Sequence, residues 1–379
     1  MRILYVASDQ VVPGRTGGSV HVLEVSRGLA ARGHEVHAVV HRRPGSPNGE
    51  ESDGVRWHRI EWSPPHRVFR FRAYPAVRAI AEAVHPDVLM ERYYNFGGEG
   101  IRVAAEKRIP SLLEVNSPVV DHPGSVKGAL DALTLVRPLR RYREALCRRA
   151  AALVAPIPEI VPAFARAKTE AVTWGANVEA FRPDVDGGAF RRSLGVSPET
   201  TVVVFSGSFR PWHGVQVLEE AARRLVHRED LFFLLAGGPR PEEARGYRGR
   251  HLGAVAYAAM PSVLAAGDVG VAPYDTARLA QLRLGFYWSP LKIFEYMAAG
   301  LPAVTIPRFP LTDIVRDGQE GCHFREGDPG SLAETLVRLA ADPVLRRTLG
   351  RKARVRVVER YSWAHHCQQL EAVLQRVAS

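Results

Sequence analysis

Two doubly wound α/β domains are predicted by three observations. The chain has 379 residues, enough for two full cores. Its first half alternates short apolar strands with helical patterns, and that β-α-β rhythm implies a parallel sheet. A second series with the same rhythm begins at Thr201.

Taken in order, Arg2–Ser8 reads as a strand centred on Ile3–Ala7, Val20–Arg32 as a helix and Val36–His41 as the next strand. Gly17 and Gly18 fall between that first strand and a helix that Ser19 can cap. A glycine pair lets backbone approach a ligand closely and take up positive φ. Further strands are expected at Val88–Glu91, Leu112–Val115 and Ala152–Ala155. Arg182–Thr200, rich in Gly, Pro and Asp, reads as the linker. The second series runs through the strand Thr201–Phe205, the helix Val215–Leu225 and strands at Phe232–Ala236, Val269–Ala272 and Ala303–Ile306. Tyr361–Ala378 reads as a final helix. Two such domains place a ligand at the carboxyl ends of their strands, in the cleft between them.

Composition narrows the function. Hydrophobic residues at 46% and charged residues at 24% describe an ordinary globular protein. A net charge of +11 suits phosphorylated ligands, an anionic membrane surface or nucleic acid. No nucleic-acid fold or stacking motif supports the last, so no nucleic-acid partner is expected. Cys147, Cys322 and Cys367 are too few and too scattered for a disulfide frame or a zinc site, which fits a reducing cytoplasm. The N-terminus enters a strand directly, and no apolar run approaches the ~20 residues of a membrane span. Two stretches interleave arginine with aromatic or apolar residues: Arg67, Phe69, Arg70, Phe71, Arg72 and Tyr74, then Arg137, Arg140, Arg141, Arg143, Arg148 and Arg149.

The most informative segment is Ser289-Pro290-Leu291-Lys292-Ile293-Phe294-Glu295-Tyr296-Met297-Ala298-Ala299-Gly300. It reads as one helix, with Ser289 as N-cap, Pro290 at the first position and Gly300 as the stop. Leu291, Phe294, Met297 and Ala298 fall on one stripe expected to be buried. Lys292 then sits in the first turn, where the helix dipole disfavours a cation unless an anion lies over the terminus. Glu295, one turn on, can accept sugar hydroxyls. A phosphate site beside a hydroxyl acceptor points to a nucleotide-sugar pocket, against a solvated Lys/Glu pair.

These residues resemble the C-terminal signature of retaining glycosyltransferase family 4, whose members have the GT-B fold of two Rossmann-like domains. Pro13-Gly14-Arg15-Thr16-Gly17-Gly18-Ser19 with Arg32-Gly33-His34-Glu35-Val36 is similar to the family's opening unit. Glu114-Val115-Asn116-Ser117-Pro118, Trp174-Gly175-Ala176-Asn177, Phe181-Arg182-Pro183, Gly207 to Gly214, Ala236-Gly237-Gly238-Pro239 and Asp268 to Tyr274 follow in the family's order. The resemblance implies an acceptor-side domain over residues 1–180, completed by a helix over 361–379, and a nucleotide-sugar domain over 181–360.

The resemblance also implies roles. Gly17 and Gly18 belong to a flexible loop that closes over the donor diphosphate. Where many relatives carry Arg and Lys as diphosphate clamps, this chain has Ser208 and His213, so Arg210 and Lys292 become the compensating charges. His213 is then a phosphate hydrogen-bond donor, a stronger one if protonated. Glu295 holds ribose. The glutamate expected eight residues earlier is Tyr287, which passes the sugar contact to Tyr287, Trp288 or backbone. Ser289, Pro290 and Leu291 complete the donor lining, and the turn at Gly253 and Val255 offers backbone to the base. A UDP-sugar is preferred to a GDP-sugar, although no residue of that turn separates uracil from guanine. On the acceptor side stand Asn116, with Glu114 to orient it, and His122.

The implied activity is metal-independent, retaining transfer of a sugar from a nucleoside diphosphate to an acceptor hydroxyl. Lys292, Arg210 and Asn116 are the catalytic candidates, and no resident cofactor or metal ligand is assigned. The acceptor is a glycoside, small molecule or lipid-linked alcohol. The expected location is the cytoplasm, with peripheral contact at the inner membrane face through the basic stretches. A degenerate donor-binding partner protein and a sugar-nucleotide epimerase are the alternatives that turnover assays separate.

Overall fold

The apolar segments collect into two sheets in a computed structural model that describes residues 1–14, 16–61, 70–94, 97–122, 124–134, 136–243 and 246–379. The first sheet contains β1 (Arg2–Ala7), β2 (Glu35–His41), β3 (Gly49–Ser52), β4 (Val55–Ile60), β5 (Val88–Arg92), β6 (Ser111–Glu114), β7 (Ala152–Ala155) and β8 (Thr169–Ala171), in the order β3-β4-β2-β1-β5-β6-β7-β8. Its strands pair in parallel except for the β3–β4 hairpin. That hairpin turns through Asp53 and Gly54, both at positive φ, the Asp-Gly pairing that suits a two-residue turn. β1 and β5 are buried along almost their whole length, which is why they read as unbroken apolar runs.

The second sheet contains β9 (Thr201–Ser206), β10 (Leu231–Glu243), β11 (Gly249–Gly253), β12 (Val269–Ala272), β13 (Ala303–Thr305) and β14 (Gly321–His323), all parallel, ordered β11-β10-β9-β12-β13-β14. Strand order reverses between β1 and β5 in the first sheet and between β9 and β12 in the second. At such a switch point the flanking loops diverge and leave a crevice at the carboxyl ends.

Two compact units result. One comprises residues 1–174, 287–289 and 363–379, the other residues 175–286 and 290–362. Arg182–Thr200 is no linker, contrary to its composition, because it lies inside the second unit. It holds the helix Gly188–Ser193, and Arg191 donates to Asp268 at 2.5 Å and to the Thr200 carbonyl at 2.8 Å. Its Asp and Gly residues serve local turns instead, with Asp186 accepting from the Gly188 N–H. The last helix, Trp363–Ala378, belongs to the first unit and buries Trp363, His366, Cys367, Leu370 and Leu374. Tyr361 stays with the second unit, where its carbonyl accepts from Ala176.

Among the described residues no helix is long and apolar enough to cross a membrane. Of the first basic stretch, Arg67 and Phe69 and the side chains of Arg70 and Phe71 lie outside the described residues. In the second, Arg140 and Arg148 pair with Glu144, and the buried Arg143 pairs with Asp121.

Candidate functional site

In the second unit the polar residues gather where β9 and β12 end. Gly207 follows β9 with φ +152, and a Cβ there would lie 2.7 Å from Lys292 Nζ and 3.1 Å from His213 Nδ1. A side chain is excluded because the lysine and histidine heads occupy that space. Gly214 has φ +68, and a Cβ on it would meet the Pro273 carbonyl at 1.6 Å, so the loop after β9 lies directly on the turn after β12.

Lys292 is 8% exposed, and its Nζ lies 4.3 Å from the centre of the Phe205 ring and 5.2 Å from that of Tyr274. Neither Lys292 Nζ nor His213 Nδ1 has a hydrogen-bond partner among the described residues. Desolvation pushes the Lys292 ammonium down to about 7, against a smaller upward pull from Glu295. Burial, with the charges of Lys292 and Arg210, pushes His213 down to about 2. His213 is therefore a neutral imidazole here, and the expected gain from its protonation does not arise. Two buried nitrogens without partners, one of them a potential cation, form a cradle matched to an anion.

The signature helix spans Leu291–Ala298, with Pro290 in the cap position and no side-chain cap bond. Ser289 does not cap it. Its Oγ accepts from the Trp174 N–H at 3.1 Å within the first unit. The expected one-sided stripe is also corrected, since Lys292 through Ala298 are all buried and Leu291 is only half-buried. Packing against β12 and the helix Pro343–Arg360 covers the helix on several sides, so its polar residues point into protein. Glu295 is 7% exposed and Gly300, at φ +76, ends the helix as expected. Arg210 and Ser208 are exposed on the loop after β9, Gly253 ends β11 at φ +65, and Val255 is half-buried. Tyr287 is 1% exposed and packs against Trp288 in the first unit, which leaves little of its ring for a donor sugar.

The carboxyl edge of the first sheet carries a second polar cluster. Asp9, after β1, pairs with Arg92 of β5 at 2.9 Å. Gly17 and Gly18 are not a positive-φ turn. They are the first residues of the helix Gly17–Ala31, and Thr16 rather than Ser19 caps it, accepting from the Ser19 N–H at 3.2 Å. A Cβ on Gly18 would meet Gln10 at 2.6 Å, so this glycine is there for close packing.

Glu114, expected to orient Asn116, is committed elsewhere. It accepts from Tyr5 at 2.6 Å and pairs with His21, a residue that sequence reasoning missed. The coulombic and hydrogen-bonding pull of His21, with Tyr5 and Arg92, outweighs desolvation and holds the Glu114 carboxyl down at about 2. Asn116 Oδ1 accepts from Trp174 Nε1 at 3.0 Å, while its buried Nδ2 has no partner among the described residues. His21 stacks on Trp174 with ring centres 4.3 Å apart, and Trp363 and His366 of the last helix each lie 5.4 Å away. Burial pushes His366 down to about 4, helped by His21. His122 is half-buried, and its carbonyl accepts from Ser125.

The expectation of metal independence overlooks an Asp-x-Asp triplet that the chain does contain, Asp184-Val185-Asp186. Asp184 pairs with Arg182 at 3.1 Å and Asp186 accepts from Gly188, so both carboxylates serve the turn before Gly188–Ser193.

Comparison with known proteins bears on the whole chain. Residues 15–168 match the family described as glycosyltransferase family 4, and residues 200–342 match glycosyl transferases group 1. A D-inositol 3-phosphate glycosyltransferase of Jonesia denitrificans is 26% identical over 96% of this chain and 92% of its own length. Sucrose-phosphate synthase from Thermosynechococcus elongatus superposes with a TM-score of 0.76 at 20% identity, covering 99% of this chain and 98% of that one. Anabaena HepE, solved with UDP and glucose, superposes with a TM-score of 0.71 at 16% identity and covers 99% of each chain. These likenesses show the fold.

Proposed function

We propose that this chain, which belongs to glycosyltransferase family 4 and has the GT-B fold, transfers a sugar from a nucleoside diphosphate to a hydroxyl with retention of configuration and without a metal ion. The observation that carries the reading is the pair of buried, unpartnered nitrogens, Lys292 Nζ and His213 Nδ1, around Gly207. A diphosphate at that cradle supplies the missing partners. Lys292, in the first turn of its helix, then faces the oxygen on which charge grows as the glycosidic bond breaks. A fixed cation aimed at developing charge in a water-poor site lowers the barrier. Arg210 adds charge from the loop after β9, and His213 contributes as a neutral ring. These groups do the work that a divalent ion does in other transferases.

Glu295 is the ribose ligand in this proposal, with the base against Gly253 and Val255 and uracil as the preferred base. Asn116 Nδ2 is a ready donor for an acceptor hydroxyl. Glu295, the carboxylate that acts on Lys292, is given to ribose in this proposal, and that favours attack from the side of the departing phosphate. The relative named as a D-inositol 3-phosphate glycosyltransferase makes a cyclitol phosphate the first acceptor to try.

The test is transfer from UDP-, GDP- and ADP-sugars, with the anomeric configuration of the product read by NMR. Transfer with retention, undiminished by a chelator present during the assay, is the expected result. Lys292→Ala should lose ~2–4 kcal/mol of barrier lowering, the scale of one oxyanion-hole donor, with an unchanged circular dichroism spectrum. Inversion at the anomeric carbon, or a near-normal rate in Lys292→Ala, rejects the mechanism.

A further inference from the structure

We propose that His21, Glu114 and His366 bind a divalent transition-metal ion of the zinc class, which fastens the C-terminal helix to the rest of the first unit. The three residues come from three elements: the helix Gly17–Ala31, the end of β6 and the helix Trp363–Ala378. One donor atom from each lies within 4.8 Å of the other two. Two imidazoles and a carboxylate are a donor set that suits zinc.

Supporting groups hold Glu114 and His366, while His21 Nδ1 is buried without a partner among the described residues. Tyr5 donates to Glu114 Oε2 at 2.6 Å, leaving Oε1 turned toward His21 Nε2. The Thr173 carbonyl accepts from His366 Nδ1 at 2.8 Å, which fixes the tautomer and leaves the Nε2 lone pair as donor. A metal-binding histidine ordinarily has its other nitrogen held in this way. His366 Nε2 is buried and has no partner among the described residues. An ion pair between His21 and Glu114 accounts for two of the three side chains and leaves that nitrogen unexplained. A metal ion engages all three. Zinc bonds of about 2.0–2.1 Å set donors roughly 3.3 Å apart, so binding draws His366 Nε2 inward and parts the closer His21–Glu114 contact, both by small rotamer changes. Trp174 and Trp363 wall the site, and one water completes the tetrahedron beside the three protein donors.

The role is structural and separate from the diphosphate chemistry proposed above. Trp363 and His366 are both on the last helix, so loss of the ion loosens that helix first.

The experiment uses the full chain, stripped by prolonged dialysis against a chelator, then given Zn²⁺ or Co²⁺ and desalted. Expected are about one retained ion per chain, a raised Tm, and quenching of tryptophan fluorescence by Co²⁺. His366→Gln and Glu114→Gln should lose retention and quenching together. Should either variant fail to fold, the Co²⁺ absorption of the wild type decides. A tetrahedral spectrum free of thiolate bands supports the site, and an octahedral one overturns it. No retention by wild type, which would leave these atoms to water, overturns it as well. So does full retention by a folded His366→Gln.

Discussion

At the scale of one residue, burial decides how Lys292 holds its proton. Desolvation brings its pKa from 10.5 to about 7, so the folded protein releases a proton that the unfolded chain keeps up to about 10.5. Between those values the unfolded state binds more protons, and stability contributed at this site rises with pH. An anion at the cradle reverses the shift by giving the ammonium a partner. Nucleoside diphosphate binding at pH 8 should therefore take up close to one proton, in ~1:1 proportion to ligand. Affinity should fall by up to about tenfold per pH unit above 7. Calorimetry in buffers of different ionisation enthalpy measures both quantities. Lys292→Met should abolish the proton uptake, weaken binding and raise Tm. Equal proton uptake in wild type and Lys292→Met would remove Lys292 from the phosphate site. The sequence already marked this lysine, because a cation in a first helical turn contradicts the dipole. His21 carried no such mark. A histidine on an apolar helix face looks like ordinary core, and only the tertiary fold sets it beside Glu114, 93 residues later.

At the scale of elements, the cradle depends on how β9 and β12 are held at their carboxyl ends. Tyr296, on the signature helix, does this with one hydroxyl. It accepts from the Ser206 N–H at 2.8 Å, at the last residue of β9, and donates to the Val271 carbonyl of β12 at 3.3 Å. Tyr296→Phe leaves a buried N–H without its acceptor and should cost ~1–3 kcal/mol of stability. Ser206 adjoins Gly207, so nucleotide affinity should fall by more than for a stability-matched variant elsewhere in the second unit. Denaturant midpoints and nucleotide titrations read the two effects, and unchanged affinity would uncouple the strand end from the cradle. The buried parallel strands were legible because strands covered on both faces are apolar throughout. The β3–β4 hairpin was not, since its outer strand Gly49–Ser52 is largely exposed and polar. The supposed linker misled for a related reason. Gly, Pro and Asp mark turns whether the turn joins domains or lies inside one, and Arg191 to Asp268 is a long-range contact that composition does not encode.

For the molecule as a whole, the excess of 51 basic over 40 acidic residues is spent unevenly. Arg143 and Arg191 go into internal pairs, and Arg354 holds the carbonyls of Val178, Phe181 and Ala298. Around the helices Val126–Ala132 and Pro138–Arg149 the arrangement differs. Leu130, Leu133 and Val136 are 49%, 83% and 55% exposed, and Arg137, Arg141 and Arg149 lie exposed in the same segment. Exposed apolar side chains and exposed arginines in one segment suit an anionic bilayer surface, where each basic residue contributes about 1 kcal/mol and salt screens the attraction. The full chain should therefore sediment with vesicles containing anionic phospholipid and stay in solution with purely zwitterionic ones. Raising the salt should release it. Leu133→Glu adds a like charge and removes a leucine that is 83% exposed, so it should weaken vesicle binding several-fold while leaving transfer to a water-soluble acceptor unchanged. Equal sedimentation of wild type and Leu133→Glu would mean that the basic charge reaches the membrane by another face, or serves only the phosphates of the donor.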